Sequence, residues 1–216
     1  MTGLVWKDLL VARKTLKSYA IFLLLYLALA VMGAFELSFV IAMINVMVMM
    51  LPIGAFAYDE QAKWDKYAMS LPLGRRAVVG GRYLFVLLIL LASAAFGLLS
   101  CVLLSLTSAQ DLTEALASVL ASMGMGLFIA DIILPLSYQF GPERARPYLY
   151  AVIFLPMVLF FGAYKLGFLD HVDLSWVDAL PTVHALGLFA LLPLAALAGL
   201  AISYFISCRI VDRKEF

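Results

Sequence analysis

The sequence predicts an all-α membrane protein with six transmembrane helices, and three observations lead to that fold class. The 216 residues are 65% hydrophobic and only 13% charged, they contain six long apolar runs, and their basic residues collect in alternate loops. Ordinary soluble domains are about 45–50% apolar and about 25% charged. A chain with so few polar groups could not cover its apolar surface in water, so we expect it to fold in lipid.

Six apolar runs are long enough to cross the hydrocarbon core, which takes roughly 20 residues of α-helix. We place the transmembrane helices at residues 19–35, 37–58, 83–107, 112–138, 148–165 and 183–208, in a single domain over residues 1–216. The basic segment before the first run is long and patterned, so we expect that run to be retained rather than cleaved as a signal peptide.

Residues 1–18 are expected to form an amphipathic helix in the headgroup plane. Their apolar side chains recur with helical spacing, and the basic ones fall largely elsewhere on the helical wheel. The apolar set is Val5, Leu9, Ala12 and Leu16. Such a helix lies at the membrane interface and leads into the first span.

The basic residues fix the expected orientation. All but one of the 15 lysines and arginines lie in the N-terminal segment, the loops after the second and fourth spans, and the C-terminal tail; Lys165 is the exception. Cytoplasmic loops carry an excess of basic residues, so this distribution puts both termini in the cytoplasm and the chain in the plasma membrane. No basic stripe lies away from the membrane flanks, so no nucleic-acid partner is expected.

The longest predicted cytoplasmic loop, residues 58–76, is rich in aromatic and charged side chains. Asp59 and Glu60 suit the start of a helix, and Trp64 and Tyr67 fall on one apolar face. A proline then ends this helix before the third span begins. The segment is interpreted either as an interfacial anchor or as a docking element for a cytoplasmic partner, and the residue pattern does not separate the two.

The second span carries an unusual polar and methionine-rich set of side chains: Met43, Asn45, Met47 and Met49. Methionine adapts its shape to varied partners, and asparagine in hydrocarbon needs a hydrogen-bond partner. We consider a flexible apolar path for amphipathic cargo, with ordinary core or lipid packing as an equal alternative.

Asp131 is the one carboxylate placed well inside a predicted span. A charge at that depth is costly and marks a candidate functional residue, so Asp131 joins the candidates for the translocation path. The side chain lies about two turns from the cytoplasmic end, where it can either extend toward water or meet a basic residue such as Arg82 or Arg144. We favour the ion pair, because charges inside membranes usually pair.

Small residues recur at every fourth position in three spans. They are Ser93, Gly97, Cys101 and Ser105 in the third, Ser118, Ser122 and Gly126 in the fourth, and Ala195, Gly199, Ser203 and Ser207 in the sixth. Small faces allow helix backbones to approach closely. We favour packing within one chain, with a dimer seam or a translocation path as the alternative.

The sequence contains no motif for catalysis or for binding ATP. A Gly-x-x-x-x-Gly-Lys-Ser/Thr phosphate loop is missing. His171 and His184 bracket an acidic external loop, but their spacing matches no usual metal site, so no metal is expected. Cys101 and Cys208 are expected to be packed free thiols.

The segment 57–79, which contains Tyr-Asp-Glu-Gln-Ala-Lys-Trp-Asp-Lys-Tyr-Ala-Met, resembles the loop of ABC-2 type transporter permeases. The likeness is to the branch of small six-helix subunits that includes peptide exporters and antimicrobial-peptide resistance permeases. The opening Leu-Val-Trp-Lys-Asp-Leu of residues 4–9 and the segment 134–146 are similar to the same branch. The resemblance therefore follows nearly the whole chain in order.

This resemblance implies the permease half of an ATP-driven exporter for hydrophobic or amphipathic cargo such as a peptide. The permease would pair with a second copy or a homologous permease and dock a separate ATP-binding subunit, which would hold ATP and magnesium. No cofactor and no enzymatic activity are expected on this chain. The residues implied to contact the ATPase are Asp59, Glu60, Lys63, Trp64 and Tyr67 in a coupling helix, and Glu143 and Arg144 in the second cytoplasmic loop.

Two other classes are alternatives: a non-enzymatic membrane module such as half of a secondary transporter, and an intramembrane enzyme. A secondary transporter normally has more ionisable groups in its spans and repeated halves. An enzyme needs several polar residues that converge at one depth. The sequence has neither feature, so the exporter interpretation is favoured.

Overall fold

The computed structural model describes residues 2–69, 73–107, 112–166 and 182–214, and these contain helices and no β-strand. The helices are α1 (Thr2–Val31), α2 (Leu37–Gln61), α3 (Trp64–Met69), α4 (Arg75–Thr107), α5 (Leu112–Phe140), α6 (Pro142–Lys165) and α7 (Thr182–Arg213). Six of these described helices, all except α3, are long and apolar enough to cross a membrane. The predicted fold class, with its short helix between the second and third spans, is therefore confirmed.

The helices extend past the apolar runs at their charged ends. Helix α1 continues from Thr2 to Val31 without a break, so the predicted interfacial helix and the first span form one element. Helix α4 begins at Arg75 rather than near 83, and α6 begins at Pro142 rather than near 148. The hydrogen bonds of a helix do not require apolar side chains, so hydropathy marks the membrane boundary and not the helix end.

The chain termini and two of the connections meet at one end of the bundle. Arg75 Nη1 donates a hydrogen bond to the Val211 carbonyl at 3.2 Å, which joins the start of α4 to the end of α7. Lys214 Nζ donates to the Tyr138 carbonyl at 3.1 Å and joins the C-terminal tail to the end of α5. The start of α1 is held at the same end by ion pairs to α2. This arrangement is the one expected for an even number of spans.

Gly141 makes the tight turn between α5 and α6. Its φ of +82° lies in the left-handed region, which costs glycine little because it has no Cβ. Pro142 follows at the first helical position, where its fixed φ suits a helix start. A Cβ at Gly141 would lie 3.5 Å from Glu60 Oε1, so this turn sits beside the end of α2.

Helices α2, α4 and α5 supply most of the buried core, and α6 lies at the edge. Val40, Phe85 and Leu134, one from each central helix, have no exposed surface. By contrast, Phe154 and Phe160 of α6 are more than half exposed. In a bilayer such a face is covered by lipid or by another helix.

Helices α5 and α7 form the most extensive contact between any two described helices. Gly124 permits it, because a Cβ there would lie 2.8 Å from the Leu192 Cβ and 3.0 Å from the Leu192 carbonyl carbon. Gly97 of α4 similarly faces Val119 of α5, whose methyl would lie 3.5 Å from an added Cβ. These small residues serve close helix packing within the chain.

This packing predicts opposite effects for two Gly→Ala changes. Gly124→Ala should lower the thermal stability of the purified protein, because overpacking costs about 1–3 kcal/mol and outweighs the roughly 1 kcal/mol gained from helix propensity. Gly162→Ala on α6 has nothing within 4 Å of its new Cβ and should leave stability unchanged or raise it. Thermal unfolding of both variants in one detergent tests this, and equal shifts would contradict the close α5–α7 contact.

Candidate functional site: a buried charge cluster

Four charged side chains from three helices form what we call the charge cluster: Lys7 and Asp8 of α1, Asp59 of α2 and Arg82 of α4. Lys7 Nζ lies 2.8 Å from Asp59 Oδ1 and 2.9 Å from Asp8 Oδ1. Arg82 donates through Nη2 to Asp59 Oδ2, and its Nη1 lies 3.0 Å from Asp8 Oδ2. Two cations therefore alternate with two carboxylates, and each carboxylate has two cationic neighbours.

Because the cluster is buried, its positive and negative charges must neutralise one another. Asp8, Asp59 and Arg82 are only 4%, 6% and 5% exposed. Removing an ion from water costs several kcal/mol, and only well-placed opposite charges and hydrogen bonds recover it. Arg82 Nη2 donates a hydrogen bond to Asp59, whereas Nη1 meets Asp8 as an ion pair without hydrogen-bond geometry.

Two aromatic rings complete the surroundings of the cations. The Arg82 guanidinium lies 4.6 Å from the centre of the Phe56 ring, and Lys7 Nζ lies 4.5 Å from that of Trp64. A cation over an aromatic face is attracted by the negative charge density of the ring. Since Trp64 begins α3, the Lys7 contact links α3 directly to α1.

Helical spacing explains how the chain brings these charges inside. Asp8 lies four residues from both Leu4 and Ala12, and all three are buried on one face of α1. Arg82 lies three residues before Phe85, a fully buried residue of α4. The sequence analysis missed Asp8 and the burial of Arg82. The available signal was an acidic residue in register with the apolar stripe of α1.

Helix α3 presents an exposed surface above the charge cluster. Tyr67 is 59% exposed, and Glu60 and Lys63 on either side of the α2–α3 turn are also exposed. Trp64 is half-buried, with its ring centre 5.2 Å from that of Tyr67. Ala68 is buried and anchors the inner face. The segment thus has one face toward the bundle and one toward its surroundings.

The second predicted contact segment lies at the same end. Glu143 and Arg144 are exposed in the first turn of α6. They follow the Gly141 turn, which abuts Glu60 at the end of α2. The fold therefore brings together two surfaces that are more than 70 residues apart in sequence.

A hydroxyl network begins one residue after the charge cluster. The Tyr83 hydroxyl lies 2.7 Å from Ser203 Oγ and 2.7 Å from Ser207 Oγ. Ser203 Oγ donates to the Asp131 carbonyl at 2.7 Å. Ser203 has one proton, so Tyr83 must donate to Ser203, and Ser207 then donates to Tyr83. The network joins α4, α5 and α7.

A comparison with protein families decides the identity of the chain. A family model described as ABC-2 family transporter protein matches residues 3–212. This chain belongs to the ABC-2 transporter family. No curated protein and no solved structure gave a match.

Family membership confirms the resemblance noted for residues 57–79 and sets the general role of the ABC-2 chain. It is a multi-pass membrane component of a transport system and is not itself an enzyme. Permeases of this family normally work with an ATP-binding subunit. These statements agree with the candidate spans and with the sequence prediction of a permease.

Asp59 of the ABC-2 chain is buried, unlike most of the residues with which it was predicted to contact the ATPase. Its side chain is buried, and both carboxylate oxygens are engaged by Lys7 and Arg82. The carboxylate is thus occupied within the chain, and the exposed set of that segment is Glu60, Lys63 and Tyr67.

The predicted ion pair between Asp131 and Arg82 or Arg144 is wrong. Arg82 turns toward α1 and α2, where it pairs with Asp8 and Asp59, and Arg144 is exposed on α6. Asp131 Oδ1 is buried and has no hydrogen-bond partner among the described side chains. The reason is helix rotation: Asp131 lies on the face of α5 that meets α7, with Oδ2 only 2.5 Å from where a Gly199 Cβ would stand.

The other candidates for a translocation path lie in a different part of the ABC-2 chain. Met47 lines an apolar cavity of about 380 Å³ between α1, α2 and α4. Asn45 Oδ1 faces Gly126 of α5, 3.3 Å from where its Cβ would be, and Met43 is partly buried. The side chain of Met49 lies outside the described part. The structure does not bring Asp131 together with this group.

Cys101 and Cys208 are free and buried, as predicted. Among the described residues, no three His, Cys, Asp or Glu side chains are grouped to hold a metal. The loop with His171 and the side chain of His184 lie outside the described residues.

Removal of one cation from the charge cluster should strongly destabilise the protein. In Arg82→Gln, Asp8 and Asp59 would share Lys7 alone, and breaking a buried ion pair costs about 3–5 kcal/mol. Arg76→Gln is the matched control, because the Arg76 side chain is 77% exposed and its pair with Asp212 at 3.4 Å should contribute at most about 1 kcal/mol. Thermal unfolding in detergent compares the two, and a similar small loss in both would contradict the structural role of the cluster.

Proposed function

We propose that this chain is the membrane-spanning permease of an ATP-driven exporter, and that a separate ATP-binding subunit docks on the α2–α3 segment and the start of α6. The observation that carries the proposal is an exposed aromatic and charged segment, α3 with its flanks, held rigidly over a buried charge cluster that joins three candidate spans. The ATPase supplies the ATP and magnesium sites that the permease sequence lacks.

The exposed surface suits a protein partner. An aromatic side chain such as Tyr67 supplies contact area at a low cost in conformational entropy, and aromatic residues are common at binding hot spots. Glu60 and Lys63 add charges of both signs, and Glu143 and Arg144 extend the surface onto α6. Together they form a mixed apolar and charged footprint at one end of the bundle.

The charge cluster gives this surface a mechanical connection to the spans. Lys7 contacts Trp64 of α3 and at the same time Asp59 of α2, and Arg82 carries the connection to α4. A displacement of α3 is therefore passed to α1, α2 and α4 together, because separating any one of them would strand a buried charge. Alternating access needs such rigid-body movement of helices.

The docking end faces the cytoplasm in this proposal. All but one of the lysines and arginines lie in residues 7–17, 63–82, 144–146 and 209–214, which belong to the segments expected at this end, and this is the pattern of cytoplasmic segments. The ATPase and its ATP are in that compartment. The plasma membrane is then the working location, with lipid covering the outer apolar faces.

A second permease, either another copy or a homologous chain, completes the transporter in this proposal. Two ATP-binding subunits then have one docking surface each. The cargo is hydrophobic or amphipathic, such as a peptide, because the cavity between α1, α2 and α4 and the cavity between α5, α6 and α7 are mainly apolar. Alternate closure of the ATPase pair and outward opening of the bundles carry the cargo across.

The docking surface predicts a selective loss of the ATPase. The double variant Glu60→Ala, Tyr67→Ala should reduce co-purification of the coexpressed ATP-binding subunit at least tenfold, because both side chains are exposed and neither is a member of the charge cluster. Tyr164→Ala is the control, since Tyr164 is equally exposed but lies at the opposite end of α6. If the ATP-binding subunit co-purifies undiminished with the double variant, α3 is not the docking element.

The orientation predicts the behaviour of fusion reporters. Green fluorescent protein fused after residue 216 should fluoresce, and alkaline phosphatase at the same point should be inactive, because that end is cytoplasmic. Phosphatase inserted at Gly33, in the turn between α1 and α2, should be active. The reverse pattern would put α3 outside the cell and out of reach of an ATPase.

A further inference from the structure

A cavity of about 580 Å³ lies between α5, α6 and α7 and is not used by the docking mechanism. Its walls are mostly aliphatic, with Leu136, Val152 and Ile206 from the three helices in turn. Its volume lies in the range of about 300–1,000 Å³ that is usual for small-molecule sites. Apart from Gln139 and Tyr148 near the docking end, the polar residue that lines it is Asp131.

The Asp131 carboxylate has no cationic partner among the described side chains. Its Oδ1 is buried and has no hydrogen-bond partner among the described side chains, and no salt bridge between described residues includes it. Asp131 lies nine residues before the end of α5, which is about 14 Å along the helix axis. An acidic group at this depth is expensive and usually marks a ligand or ion site when it lacks a partner.

Gly199 of α7 makes room for this carboxylate. A Cβ at Gly199 would lie 2.5 Å from Asp131 Oδ2, closer than a real Cβ can approach. The Asp131 carbonyl is in turn fixed by Ser203, four residues further along α7. Helix α7 thus holds the backbone of Asp131 with a hydrogen bond and leaves space for its side chain, but none of the described α7 side chains forms a salt bridge with it.

We propose that the Asp131 cavity binds a hydrophobic cation, a molecule with one ammonium group on an apolar body, with the ammonium paired to Asp131 and the body against the aliphatic walls. A neutral or anionic amphiphile would leave the carboxylate unpaired. The role of this cavity as the cargo site of the exporter rests on the proposed function. Binding of the cation to the cavity requires no ATPase.

Gln139, Tyr148 and Ile210 place one end of the cavity at the docking end of the bundle. A cation entering there comes from the side that holds the termini. The ligand class is therefore a cationic amphiphile taken up from the cytoplasmic side of the membrane.

The test uses the purified full-length permease in nanodiscs of zwitterionic lipid, without an ATPase. Saturable binding of dodecyltrimethylammonium, after subtraction of empty nanodiscs, is compared with that of dodecanol and dodecyl sulfate, which have the same chain length. We expect the cation to bind at least tenfold more tightly than either. Equal saturable binding of the three compounds would overturn the proposal, and this comparison in the unmodified protein does not depend on the folding of any variant.

Variants then assign the preference to Asp131. Asp131→Asn, which keeps the shape and removes the charge, should reduce the affinity for the cation at least tenfold, whereas Asp131→Glu should retain part of the preference. Glu36→Gln removes an exposed carboxylate elsewhere and should change nothing. A wild-type affinity in Asp131→Asn would also overturn the proposal. Because ATPase co-purification is scored separately, failure here and failure of the docking surface are distinguishable.

Discussion

The charge cluster is the constraint on which the rest of this architecture depends. Three of its four members are almost fully buried, and each of the two carboxylates is shared between Lys7 and Arg82. Buried ion pairs add a directional constraint to the close apolar packing of the helices. If one helix is displaced, its charge loses its partner and the cost of desolvation is no longer offset. The ends of α1, α2 and α4 are therefore fixed in relative position.

Adjacent residues of α4 extend this rigidity in two directions. Arg82 faces α1 and α2, and Tyr83 faces α7, where it bonds to Ser203 and Ser207. Successive residues of a helix point about 100° apart, so one turn of α4 can serve both networks. The connection continues through Ser203 to the backbone of α5 at Asp131. The charge cluster and the backbone of Asp131 are thus connected through one turn of α4 and the hydroxyl network.

The sequence predicts well those features that depend on hydropathy and on the local spacing of residues along the chain. Long apolar runs specify the six candidate spans, and the aromatic and charged loop specifies α3, because hydropathy and local periodicity determine both. The partners of individual charges depend on helix rotation, which these patterns define poorly. Asp59 and Glu60 are neighbours in sequence, yet one is buried against Arg82 and the other is exposed. Asp131 was assigned a basic partner by proximity in depth, whereas its face of α5 meets a glycine of α7.

The order of the cluster residues along the chain has a consequence for biogenesis. Asp8 and Asp59 leave the ribosome before Arg82, which lies on the third candidate span. Until α4 is synthesised and inserted, Lys7 is the only cation of the cluster available to two acidic groups. The first helical hairpin can therefore enter the bilayer but cannot adopt its final packing alone. The final packing of α1 against α2 requires Arg82, so tertiary assembly of this end follows insertion of the third candidate span.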